Sequence, residues 1–268
     1  MLAWIWAIST ATAYVEVSEA EVDRILRQMT TEERFLQTCI DSMCPEGPAR
    51  RFQCDVFGGG GTSGGGDAWF NLLELERLGV RGLRMRDGPK GPTCQGGHVV
   101  FSPPCPADGT SPSFPSQITR AASWDVDLEE KIGRAIGEIA ERLDIHAALL
   151  PTINVLPWLN WGRAQETYGE DPFFSGKMGA AVVRGVQARG KVMATAKHFL
   201  ANNIENTRWW VSAEMDEKTL HEVYLKAWAL VVSESSPELV MTSYNRIQGV
   251  FLLEIGGETR SDARSLRL

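Results

Sequence analysis

The hydrophobic pattern of this chain alternates between short apolar runs and longer stretches in which apolar residues recur every three or four positions. The short runs predict strands at residues 80–85, 147–155, 192–196 and 239–243. The longer stretches predict amphipathic helices between them. Alternation of strand and helix predicts a parallel sheet with right-handed crossovers, so we assign the chain to the α/β class.

The predicted helices have recognisable ends. Asp125 and Asp216 are suitable N-cap residues for two of the long helices, and Gly190 follows the end of a third. Near the N-terminus, residues 18–21 and 30–33 both match the capping box, in which Ser or Thr is followed three positions later by Glu. We therefore expect two short helices before the first strand.

The number of predicted strands limits the architecture. A closed (β/α)8 barrel requires eight strand–helix pairs, whereas four strands are clear here. We predict an incomplete (β/α)8 TIM-type barrel over residues 17–250, with a signal-like or frayed segment at 1–16 and a divergent tail at 251–268. Because a partial barrel leaves strand edges open, we also expect a partner chain that completes it.

Polar residues follow the predicted strands where each strand ends. Asp87 follows the first, Lys197 and His198 follow the third, and Tyr244 follows the fourth. The C-terminal ends of parallel strands meet at one edge of a sheet, where active sites form. Together with Arg163, these side chains offer the donors and acceptors that a polyhydroxylated ligand requires.

Each of these residues also has a purely structural interpretation. Asp87 precedes Gly-Pro and could simply start a turn. Arg163 could pair with a nearby glutamate and hold its own loop, and both roles are compatible. Lys197 and His198 are adjacent, so they point to opposite faces unless the strand is broken there. Tyr244 and Met241 can reach one pocket only through a bend between them.

Composition excludes several classes of function. The chain has 268 residues, a net charge of −7 and a pI near 5.3, so it lacks the basic surface that a sequence-independent grip on nucleic acid requires. No apolar run is long enough to suggest a membrane span. Nine tryptophans are present, and most are explained by core packing. Four of them, in polar surroundings, could instead stack on a sugar ring: Trp158, Trp161, Trp209 and Trp210.

Neither a metal nor a cofactor is expected. Cys94, His98 and Cys105 lack the spacing of a metal site. Residues 58–66, GGGGTSGGG, contain the letters of a dinucleotide-binding fingerprint without a convincing strand before them, so we interpret them as a surface loop. A nucleotide-dependent enzyme remains the least favoured alternative.

The first thirteen residues resemble a secretory signal, although no Lys or Arg precedes their apolar run. We therefore predict an extracellular protein, with the cytoplasm as the alternative.

Five runs of this sequence closely resemble the N-terminal barrel of the family 3 glycoside hydrolases, the β-glucosidase family. They are RMRDGPKGP, WGRAQETYGEDP, AKHFLANNIENTR, MDEKTLHEVYL and MTSYNRIQG, in the order expected for that family. The resemblance implies a retaining glycosidase that hydrolyses terminal non-reducing β-D-glucosyl residues of a small oligosaccharide or β-glucoside. It also implies six substrate-binding residues: Asp87, Arg163, Lys197, His198, Met241 and Tyr244.

The resemblance does not extend to the catalytic groups. Retaining hydrolysis requires two carboxyl groups about 5 Å apart. The family nucleophile is the aspartate of an SDW run downstream of the M-x-S-Y-N run, and no SDW occurs here. Asp262 is a poor substitute because no strand precedes it. We therefore predict that this chain lacks nucleophile and acid/base and is inactive by itself; alternatively, it is a non-catalytic sugar-binding fragment or a subunit completed by another chain. Its sugar specificity stays open.

Overall fold

The computed structural model describes residues 18–36, 71–72, 75–92 and 111–252. Residues 1–16 and 58–66, the five cysteines, His98 and Asp262 lie outside the described residues. The predictions made for them, and the proposed domain boundaries, stay predictions.

The main sheet has the strand order β1-β2-β3-β4-β6, and its last four strands are parallel. These strands are β1 (Asn71–Leu72), β2 (Leu83–Asp87), β3 (Ala147–Leu149), β4 (Met193–Phe199) and β6 (Leu239–Thr242). The short β1 pairs antiparallel with β2. Helices connect the parallel strands, so the α/β class is confirmed. Within the described ranges the sheet is open, and its four parallel strands are half the number in a closed barrel, as an incomplete barrel requires.

A second, small sheet is formed by segments that follow β4 and β6 in the chain. It consists of β5 (Ser212–Ala213), β7 (Arg246–Ile247) and β8 (Val250–Phe251), with β7 in the middle. The backbone N–H of Arg246 donates to the carbonyl of Val211 over 2.9 Å, at the start of this sheet. The sheet therefore ties the segment after β6 to the segment after β4.

The predicted helices form, together with a short helix at Gln117–Ala121 that the sequence pattern does not predict. They are α1 (Glu19–Gln28), α2 (Thr31–Leu36), α3 (Gln117–Ala121), α4 (Val126–Arg142), α5 (Pro172–Gln187) and α6 (Glu217–Thr219). A π-helical segment, Leu220–Tyr224, continues α6 into α7 (Leu225–Ser235). The carboxylates of Asp125 and Asp216 each accept a hydrogen bond from the backbone N–H three residues later. None of the helices in the described part of the chain combines the length and apolarity that a membrane crossing requires.

All four parallel strands differ at their ends from the predicted ranges. Strand β4 extends to Phe199, so Lys197 and His198 lie within the strand rather than after it. Strand β6 ends at Thr242. The strand predicted at 80–85 begins at Leu83 and extends through Asp87, so this carboxylate belongs to the last strand position. The strand predicted at 147–155 ends at Leu149. Pro151 explains the early end, because proline has no N–H to donate to a neighbouring strand.

The largest core lies between the outer face of the sheet and the helices α4, α5 and α7. Ala148, Ala194 and Ala196 point to this face and are almost completely buried. Helices α4 and α5 approach closely because glycines face each other: a Cβ on Gly185 would lie 2.3 Å from the carbonyl oxygen of Glu130. Small residues in the sheet and helices therefore allow this layer to pack at short range.

The inner face of the sheet carries a smaller apolar cluster. It consists of alternate residues of the four parallel strands: Leu83, Met85, Ala147, Leu149, Met193, Leu239 and Met241. Asp87 and Lys197 continue this alternation on β2 and β4. Both charged residues therefore lie on the inner face, at the C-terminal rim of the sheet.

Candidate functional site

Asp87 and Lys197 form an ion pair across the rim of the sheet. The Nζ atom of Lys197 lies 2.8 Å from an Oδ1 of Asp87, although 110 residues separate them in sequence. The side chain of Lys197 is 3% exposed, whereas that of Asp87 is 46% exposed. The ammonium group of Lys197 is thus held by an ion pair in a buried position. The carboxylate of Asp87 accepts this pair and is also exposed at the C-terminal rim of the sheet.

β4 changes register at His198, directly after Lys197. Lys197 pairs with Met241 of β6 and Phe199 pairs with Thr242, so His198 is an extra residue. An extra residue of this kind breaks the alternation of faces and redirects side chains. The strand is therefore irregular at Lys197 and His198, so these adjacent side chains need not point to opposite faces of the sheet.

The imidazole of His198 is neutral and its tautomer is set by Asn154. The Nδ1 atom lies 3.1 Å from Oδ1 of Asn154, an atom that only accepts, so the proton is on Nδ1. The Nε2 atom lies 3.1 Å from Nη1 of Arg163 and accepts from it. Burial, followed by the positive charges of Lys197, Arg163 and Arg208, lowers the pKa of His198 well below its ordinary value.

Arg163 forms the pair with a nearby glutamate that its sequence context predicts. Its Nε and Nη2 atoms donate to the two carboxylate oxygens of Glu166, over 2.8 and 2.6 Å. Burial opposes its charge, but Glu166, Glu205 and Asp87 outweigh burial and raise its pKa. The guanidinium therefore keeps its charge while one nitrogen reaches His198.

Tyr244 joins this region through different contacts. Its ring packs against Trp209 with centroids 4.0 Å apart, and the guanidinium of Arg208 lies 4.9 Å from the ring centroid. Arg208 in turn donates to Glu205 over 2.8 Å. The bend predicted near Ser243 is present, because β6 ends at Thr242 and the hydroxyl of Ser243 bonds to the backbone of Leu200.

The six sequence-predicted residues thus fall into two groups. Asp87 pairs with Lys197, and Arg163 hydrogen-bonds to the adjacent His198, while Met241 packs in the inner-face cluster beside Lys197. Tyr244 lies in the neighbouring Trp209–Arg208 group, which the charge of Arg208 couples to His198.

Three further residues of the site were not singled out from the sequence. Asn154 accepts from both the backbone N–H and the ring of His198. Glu205 accepts from the indole Nε1 of Trp161 over 3.0 Å and from Arg208. Glu205 and Arg208 both lie in the run AKHFLANNIENTR, which was recognised as a whole, whereas nothing in its local sequence distinguishes Asn154.

The tryptophans differ in what they offer to a ligand. Trp161 is buried and donates to Glu205, so it supports the loop. Trp209 is half exposed beside Tyr244, and Trp158 and Trp210 are largely exposed.

Among the described residues, no three or more His, Cys, Asp or Glu side chains converge as metal ligands would.

Comparison with known proteins decides the family. The model of the glycosyl hydrolase family 3 N-terminal domain matches residues 107–259, which is more than half of the chain. The chain belongs to glycosyl hydrolase family 3. The match includes five of the six predicted substrate-binding residues, and Asp87 precedes it.

Similar proteins are β-glucosidases from bacteria and yeast. A β-glucosidase of Rhizobium radiobacter is 38% identical over 191 residues, which are 71% of this chain and 22% of that protein. Thermostable β-glucosidase B of Acetivibrio thermocellus is 31% identical over 87% of this chain and 27% of that protein. The chain thus spans about a quarter of the length of these relatives.

Solved structures agree with the fold. β-Glucosidase 3B of Thermotoga neapolitana in complex with glucose matches with a TM-score of 0.69 and 29% identity, over 86% of this chain and 30% of that one. The β-glucosidase of Kluyveromyces marxianus in complex with glucose matches with a TM-score of 0.67 and 27% identity, over 86% and 24%.

Proposed function

We propose that this chain carries the sugar-binding part of a β-glucosidase-type, retaining glycoside hydrolase, with a terminal β-D-glucosyl residue as its ligand. The observation that carries the proposal is the C-terminal rim of the sheet, where the ion pair of Asp87 with Lys197 lies next to the hydrogen bond of Arg163 with His198. Family membership and the glucose complexes of similar structures support it.

The rim suits adjacent hydroxyl groups. A hydroxyl both donates and accepts, so it binds best between a fixed acceptor and a fixed donor. The exposed carboxylate of Asp87 supplies the acceptor, and the ammonium of Lys197 supplies a donor 2.8 Å away. Their mutual ion pair and the buried position of Lys197 keep both groups in place before the sugar arrives, which lowers the entropic cost of binding.

Calorimetric titration with glucose tests this proposal. The Lys197→Met variant removes the ammonium and keeps the aliphatic chain. A charge-assisted hydrogen bond contributes about 1.5–3 kcal/mol, so we expect affinity to fall about 10- to 100-fold. Lys177→Met is the matched control, since Lys177 pairs with Glu234 on the outer helices, and it should leave affinity unchanged. Equal affinity of the two variants, or no glucose binding by the parent chain, contradicts the proposal.

Catalysis is a separate matter, and the sequence-based prediction is that this chain does not turn over. Hydrolysis of an aryl β-glucoside by the purified chain measures this directly. We expect glucose binding without release of the aryl group, because a retaining mechanism requires two positioned carboxyl groups. Turnover that disappears in an Asp87→Ala variant would show that both carboxyl groups are present after all.

Three finer expectations belong to the same proposal. We infer secretion from the signal-like first thirteen residues, a role in polysaccharide degradation from the β-glucosidase likeness, and a partner chain from the open sheet. Light scattering of the purified chain checks the last of these, with an oligomer or a complex as the expected result and a stable monomer as the contrary one.

A further inference from the structure

Beside the rim lies a buried polar network that the sugar-binding proposal does not use. Arg120 of α3 and Glu129 of α4 form a two-point ion pair, with Nε and Nη2 of Arg120 at 2.7 and 3.0 Å from the two carboxylate oxygens. Their side chains are 2% and 0% exposed. The hydroxyl of Tyr168 donates to the same carboxylate over 2.6 Å.

The third nitrogen of Arg120 reaches the turn that follows Asp87. Its Nη1 donates to the carbonyl oxygen of Pro89 over 3.0 Å and to that of Pro115 over 2.5 Å. Pro89 is two residues after Asp87. In the sequence, Pro89 precedes residues 93–110 and Pro115 follows them. The N–H of Phe114 donates to the carbonyl of Lys90 over 2.8 Å between the same two segments.

The same network reaches the loop that carries Arg163. Tyr168 is two residues beyond Glu166, the partner of Arg163, and it is buried. Burial, and then the neighbouring carboxylate of Glu129, raise the pKa of Tyr168 well above its ordinary value, so its hydroxyl stays a donor. The buried carboxylate of Glu129 thus connects two segments. Through Tyr168 it reaches the loop that carries Arg163, and through Arg120 it reaches the turn that follows Asp87.

Two buried charges are costly to keep in a core, and an apolar pair of the same size often serves stability equally well. What an apolar pair cannot do is hold backbone carbonyls of two loops in fixed positions. We propose that Arg120 is a positioning residue for the sugar site: with Glu129 and Tyr168 it fixes the Asp87 turn relative to the Arg163 loop. This inference rests on the proposed function for its effect on sugar, but its effect on the turn is independent of it.

Hydrogen exchange tests the effect on the turn without any ligand. The reporters are the amides of Gly91, which donates to Gly88, and Phe114, which donates to Lys90; the reference amides are those of β4. In Arg120→Lys the ammonium can pair with Glu129 but cannot also hold both carbonyls. Loss of one or two such bonds should speed exchange at the reporters about 5- to 10-fold, with β4 unchanged. Unchanged reporters, or equal acceleration in β4, would overturn the proposal.

Glucose affinity, followed by NMR titration, tests whether Arg120 acts through Asp87. We expect Arg120→Lys to weaken binding about 5-fold in the parent chain and less than about 2-fold when Asp87→Asn is already present, because coupled residues are not additive. The control is Arg134→Lys, an exposed arginine of α4 paired with Glu130, which should change neither readout. Equal weakening in both backgrounds contradicts positioning through Asp87.

Two outcomes separate this inference from the proposed function. If the parent chain binds no glucose, the function fails while hydrogen exchange still decides the network. If Arg120→Lys does not fold, Tyr168→Phe replaces it, since it removes only the hydroxyl that donates to Glu129. We then expect about 3-fold faster exchange at Gly91, and no change there refutes the network.

Discussion

The two faces of the parallel sheet bury different kinds of side chain and are stabilised in different ways. On the outer face, Ala148, Ala194 and Ala196 lie under helices whose backbones meet at glycines. At the rim of the inner face, buried Lys197 pairs with Asp87, and beside the rim Arg120 is buried together with its carboxylate partner Glu129. The outer layer depends on shape, whereas the rim depends on the pairing of charge.

This difference sets how each region responds to a change. An apolar layer loses free energy in proportion to the misfit of the new side chain. A buried ion pair loses little when both partners are replaced by apolar groups, but loses much when one is removed and the other stays charged. Three substitutions separate these responses.

The largest effect is expected for Glu129→Leu, which removes the partner of Arg120. The guanidinium, 2% exposed, would keep its charge without a counter-charge, so the free energy of unfolding should fall by about 3–5 kcal/mol. Denaturation in urea measures this. The control Glu234→Leu breaks the part-exposed pair with Lys177 and should cost less than about 1 kcal/mol. Similar losses in the two variants would show that burial of the pair is unimportant.

A smaller loss is expected where the outer layer is packed most tightly. In Gly185→Ala the new Cβ would lie 2.3 Å from the carbonyl oxygen of Glu130 and 2.8 Å from the amide nitrogen of Arg134, so α4 and α5 must move apart. Overpacking costs about 1–3 kcal/mol, partly offset by the better helix propensity of alanine. Gly162→Ala is the control, because its Cβ would meet Glu205 at an ordinary 3.5 Å. A stabilised Gly185→Ala variant would contradict close packing of the backbones.

The smallest effect concerns the neutral His198. Its pKa is lowered in the folded protein, so the unfolded chain binds the proton more readily. The stabilisation is complete above the ordinary value near pH 6.5 and is lost as pH falls, by at most about 1.4 kcal/mol per pH unit.

Comparison of the parent with His198→Gln between pH 8 and pH 5 isolates this contribution. The pKa of His146 is also lowered, chiefly by burial, and its contribution cancels in the difference. A difference in the free energy of unfolding that stays constant over this range would show that His198 is not held neutral.

Much of this arrangement could be predicted from the sequence, because it depends on local periodicity. The parallel strands, the Asp caps and the polar residues at strand ends follow from patterns within about ten residues. The recognised runs agree with the strand-end pattern in assigning Tyr244 to the site, together with Arg163. The ion pair of Asp87 with Lys197 followed only in outline, from the convergence of parallel strands.

The remaining features depend on contacts that no local pattern reveals. Tyr168 and Glu129 are 39 residues apart, and Arg120 lies in a helix where an arginine would ordinarily be assumed to face solvent. The change of strand register at His198 is not predicted from the sequence, because an extra residue in a strand has no sequence signature of its own here.

That extra residue in β4 has a consequence for anyone aligning this chain to a template. Between Lys197 and Phe199 the strand is one residue longer than its neighbour β6. A template without this insertion would place His198 opposite Thr242, where Phe199 lies in this sheet, and would put Phe199 on the wrong side, since one step exchanges the two sides. Such a template would therefore place the imidazole of His198 where the aromatic ring of Phe199 belongs.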